Sequence, residues 1–67
     1  MITQEEIQLF KGRVIVVFHN ENKDKVDYSC GRLVVVNKNS ILLENLGGRK
    51  ILIPFERIVK VKEKMQP

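Results

Sequence analysis

The side chains of this chain that are best suited to chemistry are those that could bind a nucleic acid. Phe55 could stack on a base, because aromatic–base stacking contributes about 1 to 3 kcal/mol per base and depends little on sequence. Asn39 could hydrogen-bond a base edge, and Tyr28 is an amphipathic residue expected at the surface. Four cations could contact phosphates: Lys38, Arg49, Lys50 and Arg57. Phe55 and the four cations also have a structural interpretation. In it, Phe55 closes one end of the core and the cations are exposed to solvent.

The sequence contains no recognisable catalytic or metal-binding motif. Cys30 is the only cysteine and His19 the only histidine, so a Cys–His pair would need these two to meet and a third group to orient them. A small buried residue is the simpler interpretation of Cys30. Gly47 and Gly48 precede a predicted strand, which suits a turn better than a phosphate site. We therefore expect no enzymatic activity, no cofactor, no metal and no small-molecule substrate.

Positive charge is concentrated in the second half of the chain. Lysine and arginine outnumber aspartate and glutamate by 12 to 8, and residues 31–67 carry eight basic and three acidic side chains, a balance of +5. Such an excess attracts polyanions through counterion release. The sequence has no apolar run near the roughly 18 residues of a membrane span, and we expect no signal peptide. We expect a cytoplasmic protein without membrane contact.

The chain must fold with little support from cross-links. Its 67 residues form one predicted domain, residues 1–67, of a size at which the core rarely supplies more than about 3 to 5 kcal/mol. A single cysteine cannot form an internal disulfide. Association with other subunits is the stabilising device that remains.

One short helix is predicted at the start of the chain. Thr3 and Glu6 have the spacing of a capping box, and Gly12 can end a helix in a left-handed turn. These signals place the helix at about residues 3–11. Its apolar side is too narrow to stabilise an isolated helix, so the helix must pack on another element.

Five β-strands are predicted after the helix. Apolar, β-branched runs place them at about residues 13–18, 27–37, 40–45, 49–53 and 58–62. The polar segment 19–26 is expected to be a mobile loop, and residues 55–57 a single helical turn after Pro54. Gly31, within the second strand, indicates a bulge or bend. This order of elements predicts an all-β fold, a small five-stranded, strongly bent SH3-like barrel with a short N-terminal α-helix.

The apolar side chains exceed what one small barrel can bury. Five are expected to lie opposite the residues that fill the barrel: Ile15, Val17, Val34, Val36 and Leu42. One short helix cannot cover them all. Either the barrel is very bent, or another subunit covers the surplus.

Two short motifs carry a family resemblance. Gly31, Leu33 and Asn37 take the places of a glycine, a leucine two residues later and an aspartate at the turn before an apolar strand, and Ile41–Leu43 follow. The ending ILIPFERIVKV has the shape of two strands joined by one tight turn. In these features the chain resembles the Sm and Sm-like (LSm) family, whose bacterial branch includes Hfq, over nearly its whole length. The resemblance implies that the barrel is of the Sm-like type.

The resemblance also implies assembly and a ligand. Family members form homo-oligomeric rings of about six or seven subunits, in which the fourth strand of one protomer pairs with the fifth of the next. The implied interface residues are Ile51, Ile53, Val59 and Val61. The rings bind single-stranded RNA, with bases held between two turns. The implied RNA-binding residues are Asn37, Lys38, Asn39, Phe55 and Arg57. Asn39 stands where Hfq has a stacking aromatic.

Two alternatives use the same barrel differently. The chain also resembles photosynthetic-reaction-centre-type (PRC-type) barrels and other SH3-like adaptors, which implies a protein-interaction module without RNA binding. The ending ILIPFERIVKV suits those barrels as well. A ring that serves only as a structural scaffold is the third possibility. The mass of the particle in solution separates a ring from a monomeric or dimeric module.

Overall fold

The computed structural model describes residues 2–64 of the chain. Its elements are the helix α1 Gln4–Gln8, the strands β1 Val14–Asn22, β2 Lys25–Val36, β3 Ser40–Glu44 and β4 Lys50–Pro54, the 3₁₀ turn Phe55–Arg57, and the strand β5 Ile58–Glu63. The predicted all-β composition with one short helix is confirmed. Residues 1 and 65–67, which belong to the predicted domain, lie outside the described residues. Within residues 2–64, no helix is long and apolar enough to span a membrane.

Helix α1 begins at the capping box that the sequence predicts. Glu6 N donates to Thr3 Oγ1 at 3.1 Å, and Thr3 N donates to Glu6 Oε1 at 3.3 Å. The helix ends at Gln8, earlier than predicted. Turns follow as far as Gly12, whose φ is 86°. Gly12 N donates to Leu33 O at 2.8 Å, so β2 fixes the point where the chain leaves the helix.

The first hairpin is longer than the sequence predicts. Segment 19–26, expected to be a mobile loop, continues both strands to a two-residue turn at Lys23 and Asp24. Asn22 Oδ1 accepts a hydrogen bond from Asp24 N at 3.0 Å, which supports the turn. The loop prediction is wrong because ladder hydrogen bonds join main-chain atoms and tolerate polar side chains.

The five strands form one antiparallel sheet in the order β4-β3-β2-β1-β5. In the described residues β4 pairs with β3 alone and β5 with β1 alone. The sheet is therefore open, with β4 and β5 at its edges, and its closure into an SH3-like or Sm-like barrel stays a prediction. A register shift between Leu33 and Val35 marks a bulge in β2, which adds twist.

The core lies between one face of the sheet, the inner face, and α1. It contains Ile7, Ile15, Val17, Leu33, Ile41, Leu43, Ile53 and Ile58. Ile15 and Val17 were expected on the opposite side, and this prediction is wrong. β1 is apolar on both faces, so its sequence has no alternation to indicate which side meets the helix. The prediction is also wrong for Val36, which pairs with the buried Ile41 and packs against the core. Val34 and Leu42 are half-buried.

Candidate nucleic-acid interface

Two turns that are far apart in the sequence meet at one place on the sheet. The β2–β3 turn, residues 37–39, contacts the 3₁₀ turn because Phe55 N donates to Asn39 O at 2.9 Å. Gln4 Nε2 donates to Asn37 O at 3.2 Å. This second hydrogen bond brings the start of helix α1 to the same site.

These contacts leave a groove of about 530 Å³. It is lined by Ile2, Thr3, Gln4, Lys38, Asn39, Phe55 and Glu56. Lys38, Asn39 and Phe55 are among the residues predicted to bind RNA, and the fold brings these three together. Asn37 contributes its carbonyl oxygen to the hydrogen bond with the helix, and Arg57 is exposed outside the groove lining.

Phe55 both packs against the core and lines the groove, so it agrees with both interpretations of its sequence position. The residue is half-buried. A ring held by core contacts is already ordered, so a base that stacks on its exposed part costs little further side-chain entropy. Core packing of Phe55 therefore favours a stacking role rather than competing with it.

The groove carries mixed charge. Lys38 and Glu56 are both exposed. Lys38 can contact a phosphate, whereas Glu56 repels phosphates but can accept a hydrogen bond from the exocyclic amino group of a base. Asn39 offers one acceptor and two donors to a base edge. This combination suits a base with its phosphate on the Lys38 side.

Only one of the four residues predicted for the subunit interface is exposed on an edge strand. Ile53 is only 3% exposed, and Ile51 and Val61 are half-buried against the core. Val59 is 54% exposed. Leu52, which the sequence analysis did not single out, is 61% exposed. Strand alternation indicates it, because Leu52 must point away from the core if its two neighbours point inward.

His19 forms a buried polar cluster on the inner face. Its ring nitrogens lie 2.9 Å from Ser29 Oγ and 3.2 Å from Glu21 Oε1. Cys30 pairs with Val16 in the ladder and therefore lies on the opposite face from His19, so the two residues do not form the Cys–His pair considered from sequence. The cluster satisfies both nitrogens of a ring that is 8% exposed, and it is separate from the groove lining.

The chain matches no family model, no curated protein and no solved structure.

Proposed function

We propose that this chain binds single-stranded RNA and assembles through the edges of its sheet into a homo-oligomeric, Sm-like ring. The observation that carries the proposal is the contact between the β2–β3 turn and the 3₁₀ turn at Phe55 N and Asn39 O. These are the two turns between which the resemblance places a base. The basic excess of the chain, 12 cationic against 8 anionic residues, supports a polyanionic ligand.

In this proposal the groove holds one nucleotide of the RNA. The base stacks on the exposed part of Phe55, and the Asn39 amide hydrogen-bonds the base edge. Lys38 contacts the phosphate. Glu56 favours a base with an exocyclic amino group over uracil, because a carboxylate accepts from an amino group and repels a carbonyl oxygen.

Assembly would use the free sides of β4 and β5. Each has main-chain donors and acceptors that no other described strand satisfies, and such edges are templates for pairing with another chain. Leu52 on β4 and Val59 on β5 would lose solvent exposure in the same contact. Burial of this apolar surface would add to the small core of a 67-residue protomer.

Fluorescence anisotropy of labelled oligoribonucleotides tests the RNA-binding part of the proposal. Oligomers of about 12 nucleotides, one for each base, are titrated at about 50 and about 200 mM salt. We expect binding that weakens with salt, is tighter for oligo(A) than for oligo(U), and falls several-fold in the Lys38→Glu and Asn39→Ala variants.

Lys23→Glu is the matched control for Lys38→Glu. It makes the same change of charge at an exposed turn position at the other end of β2. Equal losses in the two lysine variants would mean that net charge, and not the groove, determines affinity. If the wild-type protein binds none of the oligomers at the lower salt, the RNA-binding proposal is wrong.

A monomeric protein-interaction module is the second candidate. Lys60 and Lys62 on β5 favour it, because lysines on an edge strand commonly oppose pairing with another strand. Light scattering coupled to size exclusion separates the two candidates. A mass of several protomers supports the ring, and a mass of one protomer supports the module.

A further inference from the structure

The face of the sheet opposite the core, the outer face, carries three parallel rows of side chains across β5, β1 and β2. The ladder places Lys60 opposite Phe18, and Phe18 opposite Tyr28. Next along the strands come Lys62, Val16 and Cys30 in the same order. Residues directly opposite each other in an antiparallel ladder point to the same side. Lysines therefore flank an apolar and aromatic strip.

The aromatic end of this strip is open to solvent. The rings of Phe18 and Tyr28 have centroids 6.2 Å apart and planes tilted by 48°. Tyr28 is 65% exposed, as expected for an amphipathic side chain at the surface. The Phe18 ring lies beside the Tyr28 ring on the same face, and Tyr28 presents the flat apolar surface of its ring to solvent.

The positive charge beside the strip is not neutralised by neighbours. Lys64 extends the lysine row beyond β5, since its N donates to Val14 O at 2.9 Å. Glu63 is engaged with Arg13 on the inner side, with N–O distances of 3.1 and 3.2 Å. Among the described residues, Lys60, Lys62 and Lys64 form no ion pair. The three exposed ammonium groups therefore repeat at every second residue, about 7 Å apart along the strand.

The row continues into a groove of about 570 Å³ at the far end of the outer face. Arg32, which pairs with Val14 in the ladder, lines this groove together with Lys64. Glu44 is opposite Arg32 and is the carboxylate in the groove lining. Cations thus follow the whole length of the strip from Tyr28 to the groove.

We propose that the outer face binds single-stranded nucleic acid, with a base stacked on Tyr28 and the phosphates following Lys60, Lys62 and Lys64. An exposed aromatic beside a row of cations is the arrangement that proteins use to hold single strands with little sequence preference. Acidic peptides would be attracted by the lysines but give no reason for the exposed tyrosine ring. This inference rests on the proposed function for its choice of ligand, but the surface is complete in one protomer and separate from the groove of Lys38 and Phe55.

The test compares variants of each surface in the full-length protein. Labelled oligo(U) and oligo(dT) of about 12 nucleotides are titrated with wild type, Tyr28→Ala, Tyr28→Phe and the double variant Lys60→Gln/Lys62→Gln. We expect Tyr28→Ala to weaken binding about tenfold, while Tyr28→Phe, which keeps the ring, stays within about twofold of wild type. The lysine variant should lower the slope of log affinity against log salt by about 1 to 2.

Both oligonucleotides are needed because the stacking surface does not read the 2′-hydroxyl group. Similar affinities for oligo(U) and oligo(dT) support stacking on Tyr28, whereas binding of RNA alone assigns the ligand to a different surface. Circular dichroism of each variant checks the fold. Tyr28 and the lysines are exposed, so their replacement should leave the spectrum unchanged.

Three outcomes separate this inference from the proposed function. If Lys38→Glu abolishes binding and Tyr28→Ala does not alter it, the outer face is not a binding surface and the proposed groove stands. Loss of oligo(U) and oligo(dT) binding with Tyr28→Ala but not with Lys38→Glu supports the outer face, and the groove is overturned if Lys38→Glu also leaves the binding of oligo(A) unchanged. If poly-glutamate competes as well as oligo(U), and Lys60→Gln/Lys62→Gln weakens the binding of both while Tyr28→Ala affects neither, the outer face binds acidic proteins and the inference is wrong.

Discussion

The main chain of Gly31 on β2 lies directly against the main chain of Glu44 on β3. A Cβ atom on Gly31 would be 2.7 Å from the carbonyl oxygen of Glu44 and 3.0 Å from its carbonyl carbon. Side chains do not tolerate such an approach to the backbone, so the two strands come this close only because residue 31 is glycine. β3 carries Ile41 and Leu43, and the close approach therefore fixes how two core residues meet β2.

Gly31→Ala should destabilise the fold by about 1 to 3 kcal/mol, because the added methyl group forces two packed strands apart. Urea unfolding followed by circular dichroism measures the change. Gly47→Ala is the control, since a Cβ there meets only Asn45 Oδ1, at 3.5 Å. Equal unfolding midpoints for the Gly31 and Gly47 variants would show that the backbone at Glu44 can move at little cost.

The features of the fold that local interactions determine are predictable from the sequence. Thr3 and Glu6 interact three residues apart, and the start of the helix was predicted from them. The bulge expected at Gly31 lies further along β2, between Leu33 and Val35, and Gly31 instead allows the close approach of the Glu44 backbone. The side of β1 that carries Ile15 could not be predicted, because both faces of that strand are apolar and only packing against α1 distinguishes them.

Thr3→Ala should cost about 1 kcal/mol, because it leaves Glu6 N without its capping acceptor. Thr3→Ser retains the hydroxyl group and should cost only a fraction of that. Thermal unfolding of both variants checks the prediction. Equal melting temperatures for Thr3→Ala and Thr3→Ser would indicate that the hydroxyl contributes nothing and that water replaces it at the helix terminus.

His19→Ala should be the most destabilising change in its cluster, at about 2 to 4 kcal/mol. The substitution removes a nearly buried ring and leaves Ser29 Oγ without its partner at 2.9 Å. Ser29→Ala should cost about 1 kcal/mol, because one ring nitrogen loses a partner. Glu21→Gln should cost less than about 0.5 kcal/mol, since Glu21 is exposed.

Urea unfolding of these three variants gives the order of their losses in free energy of unfolding. A Glu21→Gln variant as unstable as His19→Ala would contradict the prediction and indicate that the contact between His19 and Glu21, and not burial of the ring, stabilises this end of the hairpin. The His19→Ala/Ser29→Ala double variant provides the cycle from which the coupling between the two side chains is obtained.

The candidate surfaces depend on contacts that no short stretch of sequence contains. Asn39 and Phe55 are 16 residues apart, and their hydrogen bond follows from the pairing of β3 with β4. The alternation of Lys60 and Lys62 with apolar residues is visible in the sequence. Their position beside Phe18 is not, because it requires β5 to cross the molecule and pair with β1. The residue types are visible in the sequence, whereas their neighbours in space follow only from the order of the strands in the sheet.

Leu52→Lys and Val59→Lys should each reduce the proposed ring to monomers. The two residues are 61% and 54% exposed on opposite edges of the sheet, and a charge at either site would be desolvated when β4 of one protomer pairs with β5 of the next. Light scattering coupled to size exclusion gives the mass of each variant.

Val26→Lys is the control for these two substitutions, since Val26 is 55% exposed on β2, away from both edge strands. It should leave the mass of the particle unchanged. If the Leu52 variant keeps the wild-type mass while Val59→Lys dissociates the particle, β5 contributes to the contact and β4 does not, and the strand pairing must be different. If the wild-type protein is already monomeric, the ring proposal is wrong, and the proposed RNA-binding surfaces must then act within one chain.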